Sequence, residues 1–167
     1  TTTRWPNAYT VTYSSAPNRQ YTGGGANALV DGIEGDVEWR KGHWVGHQGV
    51  DLWVQVDLGK KRKVSQVGVG VLKDIGAWIA FPETLELWTS NRAWANLGEP
   101  TTERAQKATV PNAKTDAPPE RRTLKLEIAP TKARFLYVKL TNAGPLPEWH
   151  PGAGGQTFFF LDELSIE

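Results

Sequence analysis

Apolar and polar positions alternate along much of this chain. In residues 52–58 (LWVQVDL), Val54, Val56 and Leu58 are separated by Gln55 and Asp57, and in residues 84–89 (TLELWT) Leu85 and Leu87 are separated by Glu86. A period of two turns one face of an extended strand to a core and the other to water. Further strand-like runs, rich in β-branched and aromatic residues, lie at residues 9–14, 64–72, 123–128, 135–140 and 157–166. Turn signals separate them: three glycines at 23–25, Gly59 with Lys60, Ser90-Asn91-Arg92, and the proline-bearing region from residue 111. Only residues 92–97 and 103–108 offer a helical turn or so, with Pro100 and Pro111 bounding the second. The polar stretch at 113–122 (AKTDAPPERR) reads as a hairpin excursion or loop, because both of its flanks read as strands. About eight short strands with no βαβ alternation and no internal repeat predict an all-β fold, a β-sandwich of jelly-roll type.

Composition bounds the rest. A chain of 167 residues, 39% hydrophobic and 22% charged, fits one domain over 1–167 that buries on the order of 70% of its unfolded surface. The formal net charge is +1, from 19 basic and 18 acidic residues. No long-range field therefore favours nucleic acid, and a membrane surface is not an expected partner. Thr1 begins no basic-then-apolar leader, and no run approaches the roughly 20 apolar residues that span a bilayer. The chain reads as a domain excised from a larger protein, or as a processed product. Cysteine is absent, which removes disulfides, thiolate nucleophiles and Cys-based zinc sites. Tryptophan is the unusual count, at eight.

Several constellations carry candidate chemistry. His43 and His47 in GHWVGHQG have the spacing of a helical zinc pair, but three glycines oppose a helix and the catalytic Glu of that motif is missing. In the same segment Trp44 either packs or is shown to a ligand. ALVDGIEGD, residues 28–36, combines carboxylates with glycines that let carbonyls converge, which suits a hard cation, although the EF-hand spacing is absent and an acidic turn is the plainer reading. Asp162-Glu163 interrupts an apolar strand, so each carboxylate must be paired, bind an ion or face water. A glycosidase pair would need two carboxylates at about 5 to 10 Å; Glu148 stands alone beside Trp149. KKRK at 60–63 reads as a solvated turn or an anion-binding patch. The loop LPEWHPGAGG, residues 146–155, holds Trp149 and His150 between prolines and glycines.

The order ALVDGI, Trp39 with HWVGHQG, VQVDLGKKRKVSQVGV, ETLELWTSN, ARFLYVKLTNAG and FLDELSI resembles the coagulation factor type C, or discoidin-like, domain. It is similar above all to the family 32 carbohydrate-binding modules of bacterial glycoside hydrolases. The resemblance implies an eight-stranded jelly roll, galactose-binding-domain-like, with a structural calcium. Its ligands would be the carbonyls of Ala28, Ile33 and Asp162, the carboxylates of Asp31 and Glu163, and an oxygen of Asp36. Asp36 departs from the family pattern, because Val37 stands where many members carry a Thr two residues before the Trp. The resemblance also implies a shallow sugar site on loops at one end, made here by Trp44, His47, Asp74, Trp78, Asn142, Trp149 and His150. Trp78 reads equally as core, since IAFP follows it. Trp39, Trp53, Trp88 and Trp94 read as structural.

The expected function is that of a non-catalytic module. It would bind terminal galactose or N-acetylhexosamine residues of glycans and target a linked glycoside hydrolase, the catalytic domain of the same parent chain. The setting implied is extracellular, periplasmic or the bacterial cell surface. The rivals are a discoidin-like protein- or membrane-binding domain, a small hydrolase using Glu148 or Asp74, and a structural sandwich packed on a catalytic neighbour.

Overall fold

The alternating runs pair edge to edge into antiparallel ladders. A computed structural model describes residues 9–25, 28–30, 32–110 and 117–167. The strands among them are β1 (Thr10–Tyr13), β2 (Val45–Gln48), β3 (Leu52–Lys73), β4 (Thr84–Ser90), β5 (Arg104–Thr109), β6 (Glu120–Thr141) and β7 (Phe158–Ile166). Hydrogen bonding runs in the order β2-β7-β3-β6-β4-β5, with β1 added on β3.

Two strands carry the architecture. β3 and β6 are each 22 residues long and pair with each other along most of that length. Midway the ladder breaks: Asp57 faces Phe135, yet the next pair is Arg62 with Ala133, and Val64–Thr131 is followed by Gln66–Glu127. Unpaired extra residues bend and twist a strand, so both strands fold over at this corner. Pro130 sits within the break, where no ladder N–H is needed. Before the corner, β3 pairs with β1 and with the second half of β6, which continues to β4 and β5. After it, β3 pairs with the first half of β6 and with β7, which continues to β2.

One core joins the two layers. Val54, Val56 and Leu58 from one half of β3 pack with Val67, Val69 and Val71 from the other, and with Leu136, Val138, Phe159 and Leu161. Burying each such side chain stabilises the fold by about 1.5–3 kcal/mol before its ordering cost. With the long strands counted as two each, this is the expected all-β sandwich.

Local structure departs in places from what the sequence pattern implies. Residues 104–109 form the edge strand β5 instead of a helical turn, and residues 92–97 form bends and turns. Val45–Gln48, in the glycine-rich segment, is a strand, so His43 and His47 share no helical face, in line with the glycines that oppose a helix there. Residues 28–30 form a 3-10 turn. The outer face of β4 is also drier than alternation implies: Trp53 and Leu97 pack against buried Trp88, Trp94, Phe135 and Tyr137. Trp94 and Tyr137 stack with centroids 3.6 Å apart at 2°, and the Trp94 backbone N–H donates to the Tyr137 hydroxyl at 2.8 Å. Part of the excursion expected at 113–122 lies outside the described residues, and its last three residues already belong to β6.

Because β3 doubles back at the corner, both of its ends reach the opposite end of the sandwich. There Asn142 N–H donates to Asp51 Oδ1 at 2.9 Å, Gly49 N–H to Thr157 O at 3.0 Å, and Phe158 N–H to Trp78 O at 2.8 Å. Loops 49–51, 74–83 and 142–157 are thereby tied together. No helix among the described residues is long and apolar enough to cross a membrane.

Candidate functional site

The segment 146–155 closes on itself through its backbone. Leu146 N–H donates to Gly155 O at 2.8 Å, Gly154 N–H to Leu146 O at 3.2 Å, and His150 N–H to Pro147 O at 3.0 Å. His150 then fastens the loop to its neighbour. Its Nδ1 accepts from Gly152 N–H at 2.8 Å, so Nε2 carries the proton and donates to Ile75 O at 2.7 Å. The ring is buried, and neither nitrogen is left for a sugar hydroxyl. His150, expected as a ligand contact, is instead a latch between the loop and the 3-10 turn Ile75–Ala77.

Two tryptophans flank that latch. Trp78 ends the turn in the left-handed region, at φ 70°. Its indole lies on the loop backbone: a Cβ on Gly152 or Gly155 would meet the ring at 2.6 Å. The ring centroids of Trp78 and Trp149 stand 6.5 and 5.8 Å from that of His150. Trp78 is 36% exposed and Trp149 53%. Of the two readings left open for Trp78, the exposed one holds. Asp74, half-buried at the start of the same turn, makes no side-chain cap bond.

The other expected contacts point inward. Trp44 is buried at 2% exposure against Leu72, Ile79 and Phe160, and its Nε1–H donates to Asp36 O at 2.9 Å. Gly35 leaves the room that ring occupies. His47 is buried between Tyr13 and Phe159, with Nε2 on Ser15 O at 3.0 Å and no partner for Nδ1 among the described residues. Burial pushes its pKa below the usual histidine value, against a smaller opposing effect from the Ser15 carbonyl. Asn142 is consumed by its own loop: Nδ2–H donates to Thr157 O at 3.0 Å, while Oδ1 accepts from Gly144 N–H at 2.8 Å and Thr157 Oγ1–H at 3.1 Å.

A cavity of about 330 Å³ lies beside this end, walled by Tyr21, Trp39, Arg40, His43 and Trp44. That volume falls at the small end of the range for ligand pockets. Arg40 lies over the Trp39 ring at 4.3 Å and pairs with Glu38 at 3.1 Å. Trp39 Nε1 is buried and unpartnered among the described residues. Tyr21 links the cavity to the loops, its ring 5.6 Å from that of Phe158, and Ala77 packs on the same aromatic cluster. Sequence reasoning took Trp39 as structural, weighed His43 only as a zinc ligand, and passed over Tyr21 and Arg40. The available signal was the polar run between Trp39 and Trp44, flanked by glycine turns.

The acidic loop meets β7 at Asp162-Glu163. Asp162 is fully buried, and its carboxylate accepts from Arg121 Nε–H at 2.7 Å, Arg121 Nη2–H at 3.2 Å and Gly35 N–H at 2.8 Å. A buried carboxylate persists because it is paired and hydrogen-bonded. Gly70 makes the room, since a Cβ there would collide with the carboxylate. Glu163 holds Gly32 N–H with both oxygens at 3.1 Å, which brings it to the loop. Ala28 is buried in its 3-10 turn and Ile33 is exposed. The Asp36 carboxylate turns elsewhere, to Glu38 N–H at 2.9 Å and Lys41 at 3.5 Å; the Glu38 bond is the main cause of its lowered pKa. Asp31 lies outside the described residues, and no cluster of three His, Asp or Glu stands together among the described ones. Of the expected calcium donors, Glu163 has its carboxylate at the loop; the Asp162 carboxylate is filled by Arg121 and Gly35, and it was the carbonyl of that residue that was expected to bind.

The family model for the F5/8 type C domain matches residues 6–157. The chain belongs to the F5/8 type C domain family. This type C domain shares its fold with solved structures of sugar-binding modules. Chitosan-binding module 1 from the chitosanase/glucanase of Paenibacillus sp. IK-5 is 16% identical, with a TM-score of 0.59 over 96% of this chain and 95% of that one. The Clostridium perfringens module CpGH89CBM32-5, solved with GalNAc-β-1,3-galactose, is 16% identical, with a TM-score of 0.59 over 96% of each chain. The family 32 module of C. perfringens NanJ, solved with galactose, is 15% identical, with a TM-score of 0.56 over 96% and 94%. No curated protein matches the type C domain.

Proposed function

We propose that this type C domain is a carbohydrate-binding module, non-catalytic, that takes terminal galactose- or N-acetylhexosamine-type residues of glycans at its loop end. The observation that carries the reading is the pair of exposed indoles, Trp78 and Trp149, each beside the latched His150. An indole face covers the apolar face of a pyranose, and a carboxylate such as that of Asp74 accepts from its hydroxyls. The cavity walled by Tyr21, Trp39 and His43 would extend that surface to a second sugar unit. Neighbours solved with galactose and GalNAc-β-1,3-galactose support the ligand class.

A module of this kind binds weakly at one site and gains by tethering. We therefore assign it to a larger secreted or surface-bound parent, where it would hold a linked glycoside hydrolase near its substrate. A structural calcium would sit at the loop carrying Asp31, with Glu163 as a protein ligand; the approach of Glu163 to Gly32 supports this. Chelation should then lower the melting temperature, and an unchanged melting temperature refutes the calcium assignment.

Calorimetric titration against galactose, N-acetylgalactosamine and a glycan array tests the main reading. Wild type binds at least one of these, and Trp149→Ala weakens that binding about tenfold or more. If wild type binds no glycan, the reading is wrong.

A further inference from the structure

The end of the sandwich away from the aromatic loops carries a different surface. At the corner of β3, residues 58–61 are extra to the ladder, and they push Lys60 and Lys61 outward on a turn in which Gly59 has φ 82°. The register then sets Lys63 directly opposite Lys132 on β6. Like charges facing each other across an antiparallel pair destabilise it, yet this arrangement is built into the fold. Lys60, Lys61, Lys63 and Lys132 are all exposed, and none joins an ion pair among the described residues. The acid at the corner, Asp57, is taken by Arg134 at 2.9 Å. Arg62 adds a further cation, lying over the Tyr9 ring at 5.8 Å. Glu127 and Glu167 border the patch, the second with its carboxylate on Gln66 Nε2 at 2.9 Å. On a chain whose formal net charge is +1, this is a strong local concentration of positive charge.

We propose that this corner is a second contact surface, for a polyanionic polysaccharide whose carboxylates or sulfates neutralise the four lysines. Among the described residues, none of the exposed large apolar side chains, Ile33, Val37, Val50, Trp78 and Trp149, lies at the corner, so charge and not apolar surface dominates the described part of it. Lysines act as point charges without the planar fork that arginine offers. They suit a chain of regularly repeated anions read by charge density. The choice of a polysaccharide over other polyanions rests on the proposed glycan-binding role, whereas the charge argument does not.

Retardation in gels containing polygalacturonate, heparin or neutral dextran tests the surface, with parallel titrations of duplex DNA and phosphatidylserine vesicles. Wild type is retarded by the two polyanions and not by dextran, and its affinity falls about tenfold or more between about 50 and 200 mM salt. The Lys60→Ser/Lys61→Ser/Lys63→Ser/Lys132→Ser variant loses at least about tenfold in affinity while its melting temperature holds or rises, because the Lys63–Lys132 repulsion is gone. The matching Lys→Arg variant keeps binding, and Trp149→Ala binds polyanions like wild type, which separates this surface from the loop-end site. The proposal is overturned if wild type is not retarded, if the serine variant is retarded equally, or if DNA or vesicles bind more tightly than both polysaccharides at the same salt.

Discussion

Two sets of tryptophans in this molecule are supported in opposite ways. On the outer face of β4 and β6, Trp53, Trp88 and Trp94 close over Tyr137, each ring covered by the next. At the loop end, Trp78 rests on the backbone of Gly152 and Gly155, and Trp149 stands beside the latched His150. Packed edge to face and face to face, Trp88 and Trp94 are left only 7% and 5% exposed. A ring seated on backbone has one face fixed and the other presented, without the mobility that exposed side chains usually carry. The same residue type therefore serves cohesion in one place and display in the other, and what lies beneath the ring decides which.

That contrast is open to test, beginning with the largest effect on stability. Trp94→Ala removes a buried ring that stacks on Tyr137, and should cost about 3–5 kcal/mol in denaturant unfolding while leaving the glycan affinity of the folded fraction unchanged. A loss of affinity would mean that the two sets are coupled. His150→Ala leaves Ile75 O and Gly152 N–H without their partner, at a cost of about 1–3 kcal/mol. It should also weaken glycan binding as Trp149→Ala does, because the seat of both rings is lost. Unfolding with intact affinity would show that the latch has no part in display.

The histidines sharpen the same comparison through pH. His47 is held neutral by burial, its pKa below the usual value, whereas the unfolded chain titrates near about 6.5. Above that pH both states are neutral and stability is level. As pH falls through it, the unfolded chain takes a proton that the fold refuses, so stability declines by up to about 1.4 kcal/mol per pH unit until the folded value is reached. His47→Gln should flatten that slope in thermal melts between about pH 7 and 5; an unchanged slope would assign it elsewhere. The smallest stability effect belongs to Trp149→Ala, within about 0.5 kcal/mol of wild type. That near-silence, beside its effect on binding, is the signature of a displayed ring.

Much of the fold was legible because alternation in residues 52–58 and 84–87 leaves only one way to bury a face. The strand β2 was not, since Gly46 and Gly49 mask it, and it is pairing with β7 on one side and with residues 18–22 on the other that makes it extended. Residues 104–109 (RAQKAT) contain helix formers, and pairing with β4 overrode that preference. At the loop end, the exposure of Trp149 was legible from its loop, whereas Trp78, followed by IAFP, reads equally as core. Asn142, His47 and His150 could not be assigned, because a polar side chain that satisfies nearby backbone reads in sequence like one that faces a ligand. Trp44 misled for a similar reason: its segment reads as loop, yet Gly35 opens a slot that buries it.

The doubled-back strands β3 and β6 have a mechanical meaning. Two sandwich layers joined only by loops can peel apart, one yielding while the other holds. Here the same two backbones pass through both layers and turn at a common corner, so neither layer has a seam along which to separate. A pull exerted on the loop end is carried along covalent chain to the far corner. The domain then gives way as one unit or stays whole.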